Sequence, residues 1–158
     1  PFRFPLTINS TEKRRIGGQR WTGGTMITID TNVAVYALSQ DPRREIAGEL
    51  LVKSDFASVQ VLNEYVHTAR RKLRRDWNQI AADVGLLHST IDIFLPMTGE
   101  DHAAGLRLAA RYQLAFYDAL LIAVALAGSA VTLYSEDMQH GLVIDDRLII
   151  INPFLEPA

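Results

Sequence analysis

An alternation of short apolar runs with helix-forming stretches predicts an α/β fold on a mostly parallel sheet, and three observations carry that prediction. Five runs read as strands: residues 26–30, 55–59, 91–97, 130–135 and 147–154. Stretches with helical spacing separate them, too long for hairpin turns and long enough for crossovers. One of these, "YDALLIAVALAG" at 117–128, is apolar almost all round, which implies a fully buried helix.

Taken in order, "MITID" reads as a buried strand ending in a carboxylate, followed by a helix over 32–39 and an Asp41-Pro42 turn. "RREIAGELLVKS" is amphipathic, with Ile46, Leu50 and Leu51 expected on one face. "DFASV" gives the second strand. "QVLNEYVHTARRKLRR" gives a helix with Val61, Tyr65 and Leu73 near one face and Leu62, Val66 and Ala69 beside it. A helix over 77–90 precedes the strand "IDIFLPM", which Pro96 closes. "GEDHAAGLRLAARYQ" opens with acids at its positive end, as a helix dipole favours. The apolar helix, "AVTLYS" and "RLIIINPF" complete the pattern.

Of 158 residues, 48% are hydrophobic and 22% charged, a globular composition long enough for one domain. Cysteine is absent, which rules out disulfides and thiolate metal sites and suits a reducing cytoplasm. No secretory signal is visible, and the longest apolar stretch is broken by Gly128 and Ser129. It falls short of the about 20 residues a membrane span needs. Residues 1–25 lack any sustained period. They hold five basic residues against Glu12, a net of +4, and the whole chain is −2, so the rest stands at −6. Residues 1–25 therefore read as an irregular extension outside the native domain, with Met26 the expected start of a domain over 26–158. The acidity of that domain weighs mildly against a general nucleic-acid binder.

Ligands of an open parallel sheet bind outside the carboxyl ends of its strands. Four acids fall there. Asp30 ends the first strand, and Asp137 follows "AVTLYS". Glu64 lies about two turns into the helix after the second strand, and Asp118 opens the apolar helix. Each has an ordinary explanation: Asp30 and Asp118 as helix caps, Glu64 and Asp137 as solvated carboxylates. The set is harder to dismiss, because converging carboxylates repel one another unless a positive group joins them, and few basic residues lie nearby in sequence. Mg²⁺ or Mn²⁺ does this with a few carboxylates, water and phosphate oxygens, and such sites hydrolyse phosphodiesters.

At these residues the chain resembles PIN-domain proteins, and closely the ribonuclease toxins of VapBC toxin–antitoxin pairs. "MITIDTNVAVYAL", "SVQVLNEYVHTARRK", "AFYDALLIAVALAGSAVTLYSEDMQHG" and the closing "LIIINPF" carry the likeness over about residues 26–155. The resemblance implies a three-layer fold, with a mostly parallel central sheet flanked by helices. It also implies an Mg²⁺ or Mn²⁺ site of Asp30, Glu64, Asp118 and Asp137, with Asp30 and Asp118 as primary ligands and Asn32 and Ser135 as polar support. An RNA substrate, a cognate antitoxin that blocks the site and a homodimer are implied with it. The segment before Met26 departs from the family, whose first strand begins almost at its initiator Met. Glu136, beside the fourth acid, receives no role.

"RRKLRR" holds Arg70, Arg71, Lys72, Arg74 and Arg75, which either steer RNA phosphates or form a solvated helix end. Glu64 and His67 have the Glu-x-x-His spacing of di-iron sites, but those need the motif twice. His88, His102 and His140 share no spacing. Trp21, Trp77 and Tyr117 either stack on bases or pack. A phosphatase with Asp30 as nucleophile is disfavoured by Asn32, where haloacid-dehalogenase-type enzymes carry a second Asp. A receiver domain would want a Lys near the last strands, and 76–158 hold none. A PIN fold that only binds protein or RNA is the alternative of another class.

Overall fold

The structure, a computed structural model, describes residues 25–155. In chain order its elements are β1 (Ile27–Ile29), α1 (Thr31–Ala37), α2 (Arg44–Lys53), β2 (Ala57–Ser58), α3 (Val59–Arg71) and α4 (Trp77–Thr90). They continue as β3 (Phe94–Leu95), α5 (Gly99–Tyr112), α6 (Phe116–Ala127), β4 (Thr132–Tyr134), β5 (Val143–Ile144) and β6 (Leu148–Ile151). The expected extension over 1–25 lies, but for Thr25, outside the described residues, as does the question of a start at Met26.

The main sheet runs β1-β4-β6-β5, with β1, β4 and β6 parallel and β5 antiparallel to β6. A second, two-stranded sheet pairs β2 and β3 in parallel. The two are stitched together beside β1, where the Asp55 N–H donates to the Ile27 carbonyl at 3.0 Å and the Thr28 hydroxyl to the Phe56 carbonyl at 2.9 Å. Parallel strands must be buried on both faces, which is why Ile29, Leu133 and Ile150 are fully enclosed. Helix α6 is enclosed as its composition predicts, with Ala119 to Val124 and Ala125 all buried, and it packs against α5. No single described helix is long and apolar enough to cross a membrane.

Helix ends follow local chemistry. Asp76 and Thr98 form capping boxes with Gln79 and Asp101, fixing the starts of α4 and α5. Gly128 ends α6 where no larger residue fits, since a Cβ there would stand 2.6 Å from Leu95 Cδ1 and overlap the Phe56 ring.

Several sequence expectations need correction. The strands are shorter than their apolar runs: 57–58 rather than 55–59, 94–95 rather than 91–97, and 148–151 rather than 147–154. Strand β5 was not expected, because "LVI" after Gly141 is too short to stand out by pattern. Ile46 is not on the buried face of α2. It is 47% exposed, and Ala47, Leu50 and Leu51 face inward instead. Helix α3 stops at Arg71, not Arg75, so Leu73 lies beyond it, with Arg74 in a left-handed turn at φ 53°.

Candidate active site

The carboxyl ends of β1 and β4 lie side by side, and the ladder between them extends one residue further, the Asp30 N–H donating to the Tyr134 carbonyl at 2.9 Å. Asp30 therefore cannot drift from the sheet edge. It is also the N-cap of α1, its Oδ1 accepting from the Thr31 N–H at 2.5 Å. Its other oxygen accepts from the hydroxyl of the fully buried Ser135 at 2.7 Å. The carboxylate that caps α1 is thus also the one that Ser135 holds at the sheet edge.

Only 7% of Asp30 is exposed, and burial pushes its carboxyl up from 3.8 to about 6. The Ser135 and Thr31 bonds oppose that rise, while the negative charges of Glu64 and Asp118 add to it. Burial likewise raises Asp118, and the charges of Asp137 and then Glu64 raise it further. Each of these two acids thus feels others of the set across gaps of many residues in sequence.

Glu64 is half-buried and held at both oxygens. The Thr31 hydroxyl donates to Oε2 at 2.8 Å, and the Gln60 amide to Oε1 at 2.7 Å. These two partners were not singled out from sequence. Gln60 precedes Glu64 by four residues and so shares its helix face, a detectable signal. Thr31 meets it only through the packing of α1 on α3. Asp118 is the third residue of α6, not its cap, which is Ala115 without a side-chain bond. Asp137 is exposed in the turn after β4 and makes no side-chain hydrogen bond among the described residues.

The PIN-domain family model matches residues 27–141, a span from β1 through the turn that carries Asp137. The chain belongs to the PIN-domain family. Solved structures share the fold of this PIN domain at low identity. The sarcin-ricin-loop-cleaving toxin VapC20 of Mycobacterium tuberculosis is 20% identical, with a TM-score of 0.57 over 70% of this chain and 89% of that one. A toxin–antitoxin complex from Klebsiella pneumoniae reaches a TM-score of 0.63 at 18% identity, over 81% and 98% of the respective chains. VapBC2 from Rickettsia felis, bound to a promoter DNA fragment, gives 0.57 at 20% identity over 79% and 96%. A search of curated protein sequences finds no match.

The donor chemistry of this PIN domain suits a hard divalent cation. No lysine or arginine pairs with any of the four acids among the described residues. Asn32, two residues after Asp30, buries both polar atoms of its amide without a described partner, an arrangement that costs free energy unless a ligand or water answers it. No three described carboxylate or imidazole groups stand close enough to hold one ion together. A cation of the Mg²⁺ type tolerates this, since it commonly takes one or two carboxylates and fills its shell with water and phosphate oxygens.

The remaining polar residues are mostly occupied elsewhere. His67 lies 3.4 Å from Arg71, not beside a second acid. His88 and His102 pack edge-on against Phe94 and Phe116, and His140 accepts from the Asn152 N–H. In the basic run Arg70 donates to the Arg75 carbonyl and lies over the Trp77 ring, while Arg75 pairs with Asp83 at 3.2 Å and donates to the Leu38 carbonyl. Arg75 is thus structural. Lys72 and Arg74 make no side-chain hydrogen bond among the described residues, and both are exposed. Trp77 and Tyr117 are exposed too. Trp21 lies outside the described residues.

Proposed function

We propose that this PIN domain is a metal-dependent endoribonuclease, the toxin of a toxin–antitoxin pair, that hydrolyses RNA phosphodiesters with Mg²⁺ or Mn²⁺. The observation that carries the reading is that acids from four separate segments face one another, with no lysine or arginine paired to any of them among the described residues. Asp30 and Asp118 would hold the ion, with Glu64 and Asp137 completing its surroundings. When bound there, a divalent cation lends Lewis acidity to water and positive charge to phosphate oxygens.

The chain's own residues do the positioning. Ser135 and the α1 N-terminus fix both oxygens of Asp30, and Thr31 with Gln60 fix both of Glu64, so each carboxylate presents a defined lone-pair direction. Asn32 supplies an amide at the same edge. Asp137, exposed and without a side-chain hydrogen bond among the described residues, would face arriving substrate.

Structural neighbours solved as toxin–antitoxin complexes support an antitoxin as protein partner, and we extend the proposal to a homodimer in the cytoplasm. Exposed Arg71, Lys72 and Arg74 would attract RNA by charge.

The test is incubation of the antitoxin-free protein with total cellular RNA in Mn²⁺ or EDTA, beside Asp118→Asn. Cleavage that needs the ion and falls at least about a hundredfold in the variant is expected, the scale on which loss of one charge-stabilising group acts. A folded protein that neither binds Mn²⁺ nor cleaves RNA would overturn the proposal in favour of a PIN fold that only binds a partner.

A further inference from the structure

Glu136 stands between Ser135, which holds Asp30, and Asp137, and three distant parts of the chain converge on it. The Arg43 guanidinium pairs with its carboxylate and the Tyr36 hydroxyl donates to it, across 93 and 100 residues of sequence. The Asn152 amide donates to its backbone carbonyl at 3.3 Å. Arg43 is itself aimed. Asp41 grips it through Nε at 2.7 Å and Nη2 at 2.8 Å, leaving Nη1 for Glu136. Its guanidinium lies 3.7 Å over the Tyr36 ring, and Phe154 meets that ring edge-on at 5.3 Å.

Two features separate this arrangement from an ordinary surface ion pair. The Arg43 and Glu136 side chains are 35% and 24% exposed, a setting in which ion pairs add little to stability. Yet Arg43, Tyr36 and Asn152, from three segments, all meet one residue whose neighbour is the only one of the four acids with no hydrogen bond or helix to hold it, among the described residues. Helix α1 joins the two ends of the device. It begins at Asp30 and, one residue before its last, carries Tyr36.

We propose that Arg43 and Tyr36 are positioning residues that fasten Glu136 and thereby hold the turn after β4 with Asp137 facing Asp118. This deepens the proposed function and rests on it for the role of Asp137. Without the clamp, the turn keeps, among the described residues, the Met138 N–H bond to the Ser135 hydroxyl and the Asn152 bond to the Glu136 carbonyl, and Asp137 is free to swing toward water, away from the repulsion of Asp118.

The experiment measures Mn²⁺ binding by calorimetry on the full chain, and amide hydrogen exchange over residues 135–139 without metal. It compares the unaltered chain, Arg43→Ala, Glu136→Gln, Asp137→Asn and Arg43→Ala with Asp137→Asn. Arg43→Ala should weaken Mn²⁺ about tenfold, the lower end of what partners outside the ligand shell contribute. It should also raise exchange in the turn at unchanged melting temperature. In the Asp137→Asn background it should cost under about twofold more, because both changes remove one contribution. Glu136→Gln should reproduce the Arg43→Ala result and serves if the latter folds poorly. Unchanged Mn²⁺ affinity or exchange, or full additivity with Asp137→Asn, would overturn the clamp. Failure of the unaltered chain to bind Mn²⁺ would instead overturn the metal reading beneath it.

Discussion

Two aspartates eleven residues apart meet opposite fates. Asp30 feels the charges of Glu64 and Asp118 with no arginine paired to it among the described residues, and its carboxyl is pushed up to about 6, first by burial. Asp41 grips Arg43, and that hydrogen bond pulls its carboxyl down to about 2. Asp83 likewise has Arg75, and Glu136 has Arg43. At these three acids the PIN domain supplies its own cation. At the carboxyl ends of β1 and β4 no lysine or arginine pairs with the acids among the described residues, and burial without a cation raises the cost of their charge.

The contrast can be broken most sharply at Asp30. Asp30→Asn should abolish RNA cleavage, yet stabilise the metal-free protein. Asparagine caps α1 as well as aspartate does. Removing a charge raised by about two pKa units relieves at most about 3 kcal/mol at pH 7. Denaturant melts without metal check this, and a loss of stability would show that the Asp30 charge is compensated after all. Asp41→Asn should go the other way, losing no more than about 1 kcal/mol, as partly exposed pairs do.

The pH dependence separates the same two residues. The folded pKa of Asp30 lies above its ordinary 3.8, so the native state binds the extra proton between about 4 and 6. Its contribution to stability is therefore best at low pH and is lost as pH rises through about 6. Asp41, depressed to about 2, stabilises above 3.8 and loses that contribution as pH falls through about 2. Melting temperature against pH in EDTA should show the Asp30 decline between pH 4 and 6, and Asp30→Asn should flatten it.

The smallest effects lie in the basic run, which sharpens the line between charge for structure and charge for ligand. Arg75→Ala should destabilise by about 1 to 2 kcal/mol, because it leaves Asp83 with the Tyr65 hydroxyl but no cation and takes the Arg75 donor from the Leu38 carbonyl. Lys72→Ala should leave stability alone and reduce the salt slope of RNA binding by about one. Equal melting temperatures for the two variants would erase the distinction.

Much of the fold was legible from pattern. The alternation of elements, the burial of 119–125 and the parallel core strands follow from local periodicity, which the structure keeps. Ile46 was misplaced because one helical step separates it from the buried Ala47, and periodicity ranks the larger apolar residue first. The basic run was read as one helical unit, yet a left-handed Arg74 splits it, a break that no proline or glycine announces.

The sequence by itself determined where along each element a carboxylate falls, since strand ends and helix starts are set by neighbours a few residues away. The places of Asp30, Glu64, Asp118 and Asp137 along their elements were readable for that reason. Tertiary structure alone decided which acids go uncompensated. Ser135 reaches Asp30 across 105 residues, Thr31 reaches Glu64 across 33 and Arg43 reaches Glu136 across 93. Hydrogen bonds and ion pairs act over a few ångströms, and the pairing of β1 with β4 and the packing of α1 on α2 and α3 bring those partners within that range.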